Sequence, residues 1–153
     1  MKGQALTAMP TDKALLLTRT YKASIHRVYQ AWIDLADLTR WYTPNEAWPA
    51  RVRDLDVREG GGFLAEFGSP GEPPWVERVQ YRVIDPPHVL SMLGHMTHKG
   101  AHVALTRYEI LLTDLGEMTE LRLTETGAPP ELLQERGGGW GGSLDNLGRL
   151  LAS

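Results

Sequence analysis

Apolar and polar residues alternate through the middle of the chain, and a period of two predicts β-strands with one face turned inward. Glycine- and proline-rich turns separate the alternating runs, which favours antiparallel pairing of neighbouring strands. With an apolar segment at residues 14–21 and a strand containing Val89, Leu90 and Met92, the pattern predicts about six or seven strands. The alternating runs are residues 55–57, 63–67, 79–83, 104–112 and 121–123.

Two short helices are predicted between the first strand and the rest of the sheet. Ser24 is a candidate N-cap, because apolar residues follow it at helical spacing. Asp34 or Asp37 can cap the second helix, and Pro44 closes that segment. The apolar side of the second helix is formed by Leu35, Leu38, and Trp41 or Tyr42.

A terminal helix is predicted over residues 137–151, where one apolar stripe is interrupted by glycines. The stripe contains Trp140, Leu144, Leu147 and Leu151. Each interior glycine costs a helix roughly 1 kcal/mol relative to alanine, so this helix needs a partner surface. The glycines either let the helix approach the sheet closely or leave room between them for a ligand. The order of elements predicts an α+β domain with a curved antiparallel sheet around the terminal helix.

Length and composition narrow the expected classes of function. A chain of 153 residues is expected to form one domain over 1–153, with residues 1–12 as a flexible arm. The net charge of -3 and the absence of a lysine/arginine run argue against a nucleic-acid partner. No apolar run is long enough for a signal peptide or a membrane span, so a cytoplasmic protein is expected.

A family resemblance rests on several weak motifs in a fixed order. They are a tryptophan closing the second helix, a double glycine before a strand, Asp-Pro-Pro between strands, and Gly-Trp opening the last helix. The segments that carry them are RTYKASIHRVYQAWIDLADLTRWYTP, VRDLDVREGGGF, YRVIDPPHVLSM, TRYEILLTDLGEMTELRLTETG and GGGWGGSLDNLGRLL. The chain thus resembles the START-like (SRPBCC, birch-pollen-allergen-like) superfamily. Within it, the chain is similar to homologues of the activator of heat shock protein 90 ATPase.

The resemblance implies a helix-grip fold, in which the sheet surrounds the C-terminal helix and a largely apolar cavity lies between them. It also implies binding of a small hydrophobic molecule, lipids included. Two alternatives follow from other members of the superfamily: a co-chaperone-like interaction module, and a small hydrolase or cyclase. The partners to consider are therefore a small hydrophobic molecule, a chaperone, and a second copy of the chain in a homodimer.

Aromatic residues are the first candidates for contacts with such a ligand. Trp32 and Trp41 lie on helix stripes and are expected to fill the core. The phenols of Tyr81 and Tyr108 would each need a polar partner if buried. The candidate ligand-binding residues, on strands and the terminal helix that would face one another, are Phe63, Phe67, Tyr81, Met92, His95, Tyr108, Trp140 and Leu144.

Metal binding and catalysis have little support in the sequence. His95, His98 and His102 have the spacing H-x2-H-x3-H, but no acidic residue nearby could orient them, and a solvated loop is the favoured interpretation. Glu66 and Glu109 are out of phase with the inward residues, and no nucleophile elbow occurs. We therefore assign no catalytic residue, no metal site and no cofactor, and expect binding ahead of catalysis.

Overall fold

Seven strands and three α-helices make up residues 14–153, the part of the chain described by the computed structural model. The predicted arm at residues 1–12 lies outside the described residues. In chain order the elements are β1 (Leu15–Tyr21), α1 (Ile25–Gln30), α2 (Leu35–Trp41), β2 (Ala50–Asp56), β3 (Gly62–Phe67), β4 (Trp75–Asp85), β5 (Val89–His98), β6 (Ala101–Asp114), β7 (Thr119–Thr126), a 3-10 turn (Pro130–Leu132) and α3 (Leu133–Ala152).

All seven strands form one antiparallel sheet in the order β1-β7-β6-β5-β4-β3-β2. Strands β2 to β7 pair with their sequence neighbours, as their hairpin spacing predicts. Strand β1 pairs instead with β7, so β1 and β2 lie at opposite edges and α1 and α2 connect them. The sheet is open and curved, and α3 packs against α2 and β1. The predicted α+β helix-grip fold is confirmed.

The two short helices begin where the sequence predicts. The Ser24 side chain accepts a hydrogen bond from the Arg27 amide, and Asp34 does the same for the Asp37 amide. Asp34 is therefore the cap of α2. Asp37 instead accepts two hydrogen bonds from the Arg27 guanidinium, at 2.7 and 3.2 Å, and these tie α1 to α2. Leu35 was predicted on the apolar side of α2, which is wrong, because its position in the first turn leaves it 45% exposed.

Two register shifts change the phase of the predicted alternation. One lies between Arg53 and Asp56, where Asp54 has a φ of 60°, and Val57 beyond it is 43% exposed. The other lies between Tyr81 and Val83, and it leaves Val83 41% exposed. An extra residue in one strand shifts later side chains to the opposite face. The expected continuous alternation of residues 55–57 and 79–83 therefore ends at each bulge.

The histidine-rich segment is a hairpin rather than a loop. Strand β5 continues through His98, and β6 begins at Ala101 after a two-residue turn of Lys99 and Gly100, which have φ values of 55° and 79°. Positive φ at both positions is the geometry of a tight hairpin turn. The expected solvated loop is wrong here, because this turn lets both strands keep pairing up to it.

Helix α3 runs unbroken through Gly137, Gly138 and Gly139. The predicted stripe is buried at Trp140, Leu144 and Leu147, while Leu151 is half-buried. Trp32 and Trp41 are both buried in the core and meet edge to face at 4.6 Å, as expected of core residues. Of the helices in the described residues, none is long and apolar enough to cross a membrane.

Candidate functional site

A cavity of about 450 Å³ lies between the first half of α3, the segment following α2, and strands β3 to β6. Six of its lining residues are aromatic. The aromatic lining residues are Tyr42, Trp48, Phe67, Trp75, Tyr108 and Trp140. Asn45, Glu135 and Gly138 line the cavity and are exposed to solvent. We call the side where these three lie the mouth.

The glycines of α3 determine how closely the helix approaches its neighbours. A Cβ at Gly142 would lie 1.9 Å from the carbonyl oxygen of Pro44, so glycine permits a backbone contact there. A Cβ at Gly138 would meet no atom within 4 Å, and one at Gly139 would meet the Pro44 side chain at 3.7 Å. Both Gly138 and Gly139 line the cavity. The two sequence interpretations of these glycines therefore apply to different positions: Gly142 gives close approach, and Gly138 gives open space.

A buried carboxylate lies at the inner end of the cavity. Glu77 on β4 is 2% exposed and lines the cavity together with Tyr42 and Tyr108. The Tyr42 phenol donates a hydrogen bond to Oε1 of Glu77 at 2.7 Å, and the Tyr108 phenol donates to Oε2. Each carboxylate oxygen thus accepts from a separate tyrosine. We call these three side chains the carboxylate site.

Gly94 makes the contact between Glu77 and Tyr108 possible. It lies on β5, between the strands that carry the other two residues, and pairs with Val79 and Thr106. A Cβ at Gly94 would lie 2.5 Å from Oε2 of Glu77 and 2.7 Å from the Tyr108 ring. Side chains from β4 and β6 therefore meet across β5 only because this position has no side chain.

A second buried carboxylate, that of Glu125, binds a tryptophan of the cavity wall. Glu125 on β7 is fully buried and accepts a hydrogen bond from the Trp140 indole N–H at 2.8 Å. The Trp140 ring packs edge to face against Tyr108 and Tyr42, with ring centroids 5.2 and 5.8 Å apart. Glu125 thus sets the orientation of the indole that borders the carboxylate site.

The outer wall contains a stacked pair of rings. Trp75 lies parallel to His98, with centroids 4.0 Å apart and an interplanar angle of 6°. The His98 Nε2 atom is 3.2 Å from the Pro73 carbonyl oxygen. This neighbour orders the indole, which is half-buried and lines the cavity.

The structure brings three of the eight predicted ligand-binding residues to the cavity: Phe67, Tyr108 and Trp140. Four others are buried in the adjoining core, namely Phe63, Tyr81, Met92 and Leu144. Both phenols find protein partners, as burial requires. Tyr108 donates to Glu77, and Tyr81 donates to the Trp32 carbonyl oxygen at 2.9 Å. Burial also raises the pKa of Tyr81 well above its usual value.

His95 is exposed on the outer face of β5, on the side opposite Met92 and Met96. Its Nε2 atom is 3.1 Å from Nδ1 of His102 on the neighbouring strand. His98 stacks on Trp75 instead of joining them. Within residues 14–153, no three histidine, aspartate or glutamate side chains are grouped so as to hold a metal ion.

The predicted ligand-binding set leaves out the lining residues Tyr42, Trp48, Trp75 and Glu77, and it also leaves out Glu125 behind Trp140. The signal for the glutamates was present. Glu77 is in phase with the inward residues Val79 and Tyr81, and Glu125 is in phase with Leu121 and Leu123. An acidic residue at an inward strand position predicts a buried polar site.

Comparison with known proteins identifies the family. The profile described as "Activator of Hsp90 ATPase homolog 1-like protein" matches residues 22–152. Among curated proteins, none matches the chain. A solved structure from Chromobacterium violaceum has a TM-score of 0.81 at 24% identity, covering 92% of this chain and 99% of that one.

Two further solved structures share the fold. One is a protein from Rhizobium loti, with a TM-score of 0.77 at 27% identity, covering 89% of this chain and 94% of that one. Another is a protein of the dynemicin biosynthetic locus, with a TM-score of 0.73 at 15% identity, covering 93% of this chain and 48% of that one. The family profile spans most of the chain, and the helix-grip fold agrees with it. The chain belongs to the START-like superfamily and, within it, to the family of Activator of Hsp90 ATPase homolog 1-like proteins.

Proposed function

We propose that this protein binds a small, mostly apolar molecule in the cavity between α3 and the sheet. The observation that carries the proposal is the cavity itself, about 450 Å³ in volume and walled by six aromatic residues. Ligand sites in proteins are typically concave, have volumes of about 300–1,000 Å³, and combine apolar walls with a few polar groups. The carboxylate site supplies such polar groups at the inner end.

The walls can supply a useful free energy of binding. Removing about 200 Å² of apolar ligand surface from water contributes roughly 5 kcal/mol at about 25 cal/mol per Å². The loss of translational and rotational freedom on association offsets part of that gain. A ligand of this size is therefore expected to bind with a dissociation constant of about 0.2 mM or weaker unless polar contacts add to the free energy of binding.

The fold is shared with proteins of other settings, so the support for the proposal comes from the site. The neighbour from the dynemicin biosynthetic locus has the same architecture, and a fold can carry many functions on one scaffold. The site of this chain, rather than its fold alone, favours ligand binding. Of the eight predicted ligand-binding residues, Phe67, Tyr108 and Trp140 have direct access to the cavity.

Native mass spectrometry of the purified protein, followed by organic extraction, is the first test. A co-purifying small molecule of defined mass supports the proposal. Val103 on β6 lines the cavity, and Val103→Trp should fill its outer part and abolish retention of the molecule. Leu105→Trp is the matched control, because Leu105 lies on the same strand but is 57% exposed outside the cavity. Equal retention by both variants would contradict binding in this cavity.

A co-chaperone-like interaction module is the second candidate function, and the family profile over residues 22–152 favours it. Its test uses a purified chaperone of the Hsp90 class. An increase in the ATPase rate of the chaperone on adding this protein supports the second candidate. An unchanged rate, with no complex detected at micromolar concentrations, argues against it. For the hydrolase or cyclase alternative, the candidate catalytic residues His95 and Glu109 are both exposed on the outer face of the sheet, away from the cavity.

A further inference from the structure

We infer that the cavity selects apolar molecules that carry a positive charge, with the protonated nitrogen placed against Glu77. The inference rests on the proposed function, and adds the chemical class of the ligand. It arises from the balance of charge around the cavity. The described lining residues include two carboxylates, Glu77 and Glu135, and no basic side chain.

The hydrogen-bond partners of Glu77 suit an ionised carboxylate. Both of its oxygens accept from phenols, Oε1 from Tyr42 and Oε2 from Tyr108. An ionised carboxylate accepts at both oxygens, and two phenol donors are partners of this kind. Two donors fill only part of the acceptor capacity of a carboxylate, which has about four lone-pair sites. A ligand N–H group can therefore bind without displacing either tyrosine.

Glu77 is also a buried negative charge, and none of the ion pairs among the described side chains includes it. Buried charges in proteins are normally paired, because burial removes the hydration that stabilises them. The carboxylate of Glu77 has already lost its hydration in the folded protein. A cationic ligand would supply a positive partner and would bear only its own desolvation cost.

The aromatic walls favour the same class of ligand. A cation positioned over a tryptophan or tyrosine ring is attracted by the electron-rich face of the ring. Tyr42, Tyr108 and Trp140 pack against one another around the inner end. A carboxylate ligand such as a fatty acid would instead place a second negative charge beside Glu77. The cavity therefore discriminates by the sign of charge as well as by apolar shape.

The test compares three probes with the same phenylbutyl skeleton: phenylbutylamine, phenylbutanol and phenylbutyrate. Isothermal titration calorimetry at neutral pH should give an affinity for the amine at least about tenfold above that for the alcohol, and weaker binding still for the carboxylate. In Glu77→Gln the amine should lose this advantage, to within about twofold, while the alcohol is nearly unaffected. Glu135→Gln, at the exposed mouth, is the matched control and should keep the preference.

Equal affinities, or tighter binding of phenylbutyrate, would overturn the inference and leave the proposed function standing. An amine preference that survives in Glu77→Gln would also overturn it, because the aromatic rings would then account for the preference. A preference that is lost in Glu135→Gln would overturn it too, because the charge at the mouth would then be responsible. If none of the probes binds, both this inference and the proposed function fail. Even if Glu77→Gln does not fold, a ranking on the unmodified protein that shows no preference for the amine overturns the inference.

Discussion

Gly94 is the residue on which the carboxylate site depends most directly. Its missing side chain is what lets Glu77 and Tyr108 meet across β5. Both of those side chains are buried and hydrogen-bonded to each other, so neither can move away without breaking that bond. The absence of a side chain at Gly94 therefore determines how Glu77 and Tyr108 are placed.

Gly94→Ala should destabilise the protein by about 1–3 kcal/mol, the usual range for overpacking a well-packed interior. The new methyl group would overlap the Glu77 carboxylate and the Tyr108 ring. Urea unfolding followed by circular dichroism measures the effect. His95→Ala, the next residue on the outer face of the same strand, is the control and should change the free energy of unfolding by less than about 0.5 kcal/mol. Equal effects of the two changes would contradict this account of Gly94.

Trp140→Phe should cost about 1–3 kcal/mol of stability, because it removes the indole N–H that donates to buried Glu125. Thermal unfolding measures the loss. Trp75→Phe removes a similar ring from the half-buried outer wall and serves as the control, with a smaller expected effect. A Trp140→Phe variant as stable as the unmodified protein would show that Glu125 does not need this donor.

At the residue scale, the sequence predicts on which face of a strand or helix a side chain lies better than it predicts which neighbours the side chain contacts. Strand phase places Phe67 and Tyr108 on the inner face, and helix spacing does the same for Trp140. Whether an inward ring borders a cavity or fills the core depends on packing at the scale of a methyl group, so Phe63 and Tyr81 could not be separated from Tyr108. Tyr42 is the C-cap residue of α2, and Trp48 lies in the irregular segment that follows it. Periodicity does not predict the direction of a side chain in such a segment.

Helix α3 combines glycines with opposite roles on one element. Gly142 meets the backbone of Pro44, while Gly138 borders the cavity. This division makes a matched pair of substitutions available on the same helix.

Gly138→Ala should stabilise the protein by about 0.5–1 kcal/mol, because alanine favours the helix and its methyl group meets no neighbour. Gly142→Ala should destabilise it by about 1–3 kcal/mol, since the methyl group would clash with the Pro44 carbonyl. Denaturant unfolding of the two variants side by side gives the comparison. Effects of the same sign would contradict the close approach at Gly142.

At the element scale, caps and spacing predict the helices well, and strands are predicted where alternation is regular. Ser24 and Asp34 both act as caps, and the inward residues of β6 are buried from Ala104 to Leu112. The bulges after Arg53 and Tyr81 could not be predicted, because an extra residue leaves no mark in local composition. The pairing of β1 with β7 is a long-range contact that no local pattern encodes, and the sequence did not predict it.

The whole molecule should lose stability steeply in alkali. Burial raises the pKa of Tyr29 to about 12, and raises the pKa values of Tyr21 and Tyr81 as well. In the unfolded chain these phenols ionise near pH 10. Their contribution to stability is therefore complete below about pH 10 and is lost as the pH rises toward the folded values. Each such tyrosine adds a slope of up to about 1.4 kcal/mol per pH unit.

Tyr81→Phe should flatten this alkaline loss, because phenylalanine has no proton to release. Urea unfolding of both proteins from roughly pH 9 to 11 measures how the free energy of unfolding of each changes with pH. The two slopes are compared rather than the absolute values, because the variant also loses the hydrogen bond to Trp32 at every pH. Parallel pH profiles would show that Tyr81 does not contribute to the alkaline transition.

The pairing of the first strand with the last has a consequence for the order of events during synthesis. Strand β1 pairs with β7, and the Tyr21 phenol donates to the Leu144 carbonyl, 123 positions further along the chain. Translation proceeds from the N-terminus, so β1 emerges from the ribosome long before either partner exists. Hairpins from β2 to β6 can form meanwhile, but β1 has no partner strand until β7 has been synthesised. The pairing of β1 is thus expected to be a late step, after β7 and α3 have been synthesised. A polypeptide that stops before β7 would leave β1 without its partner and prone to aggregation.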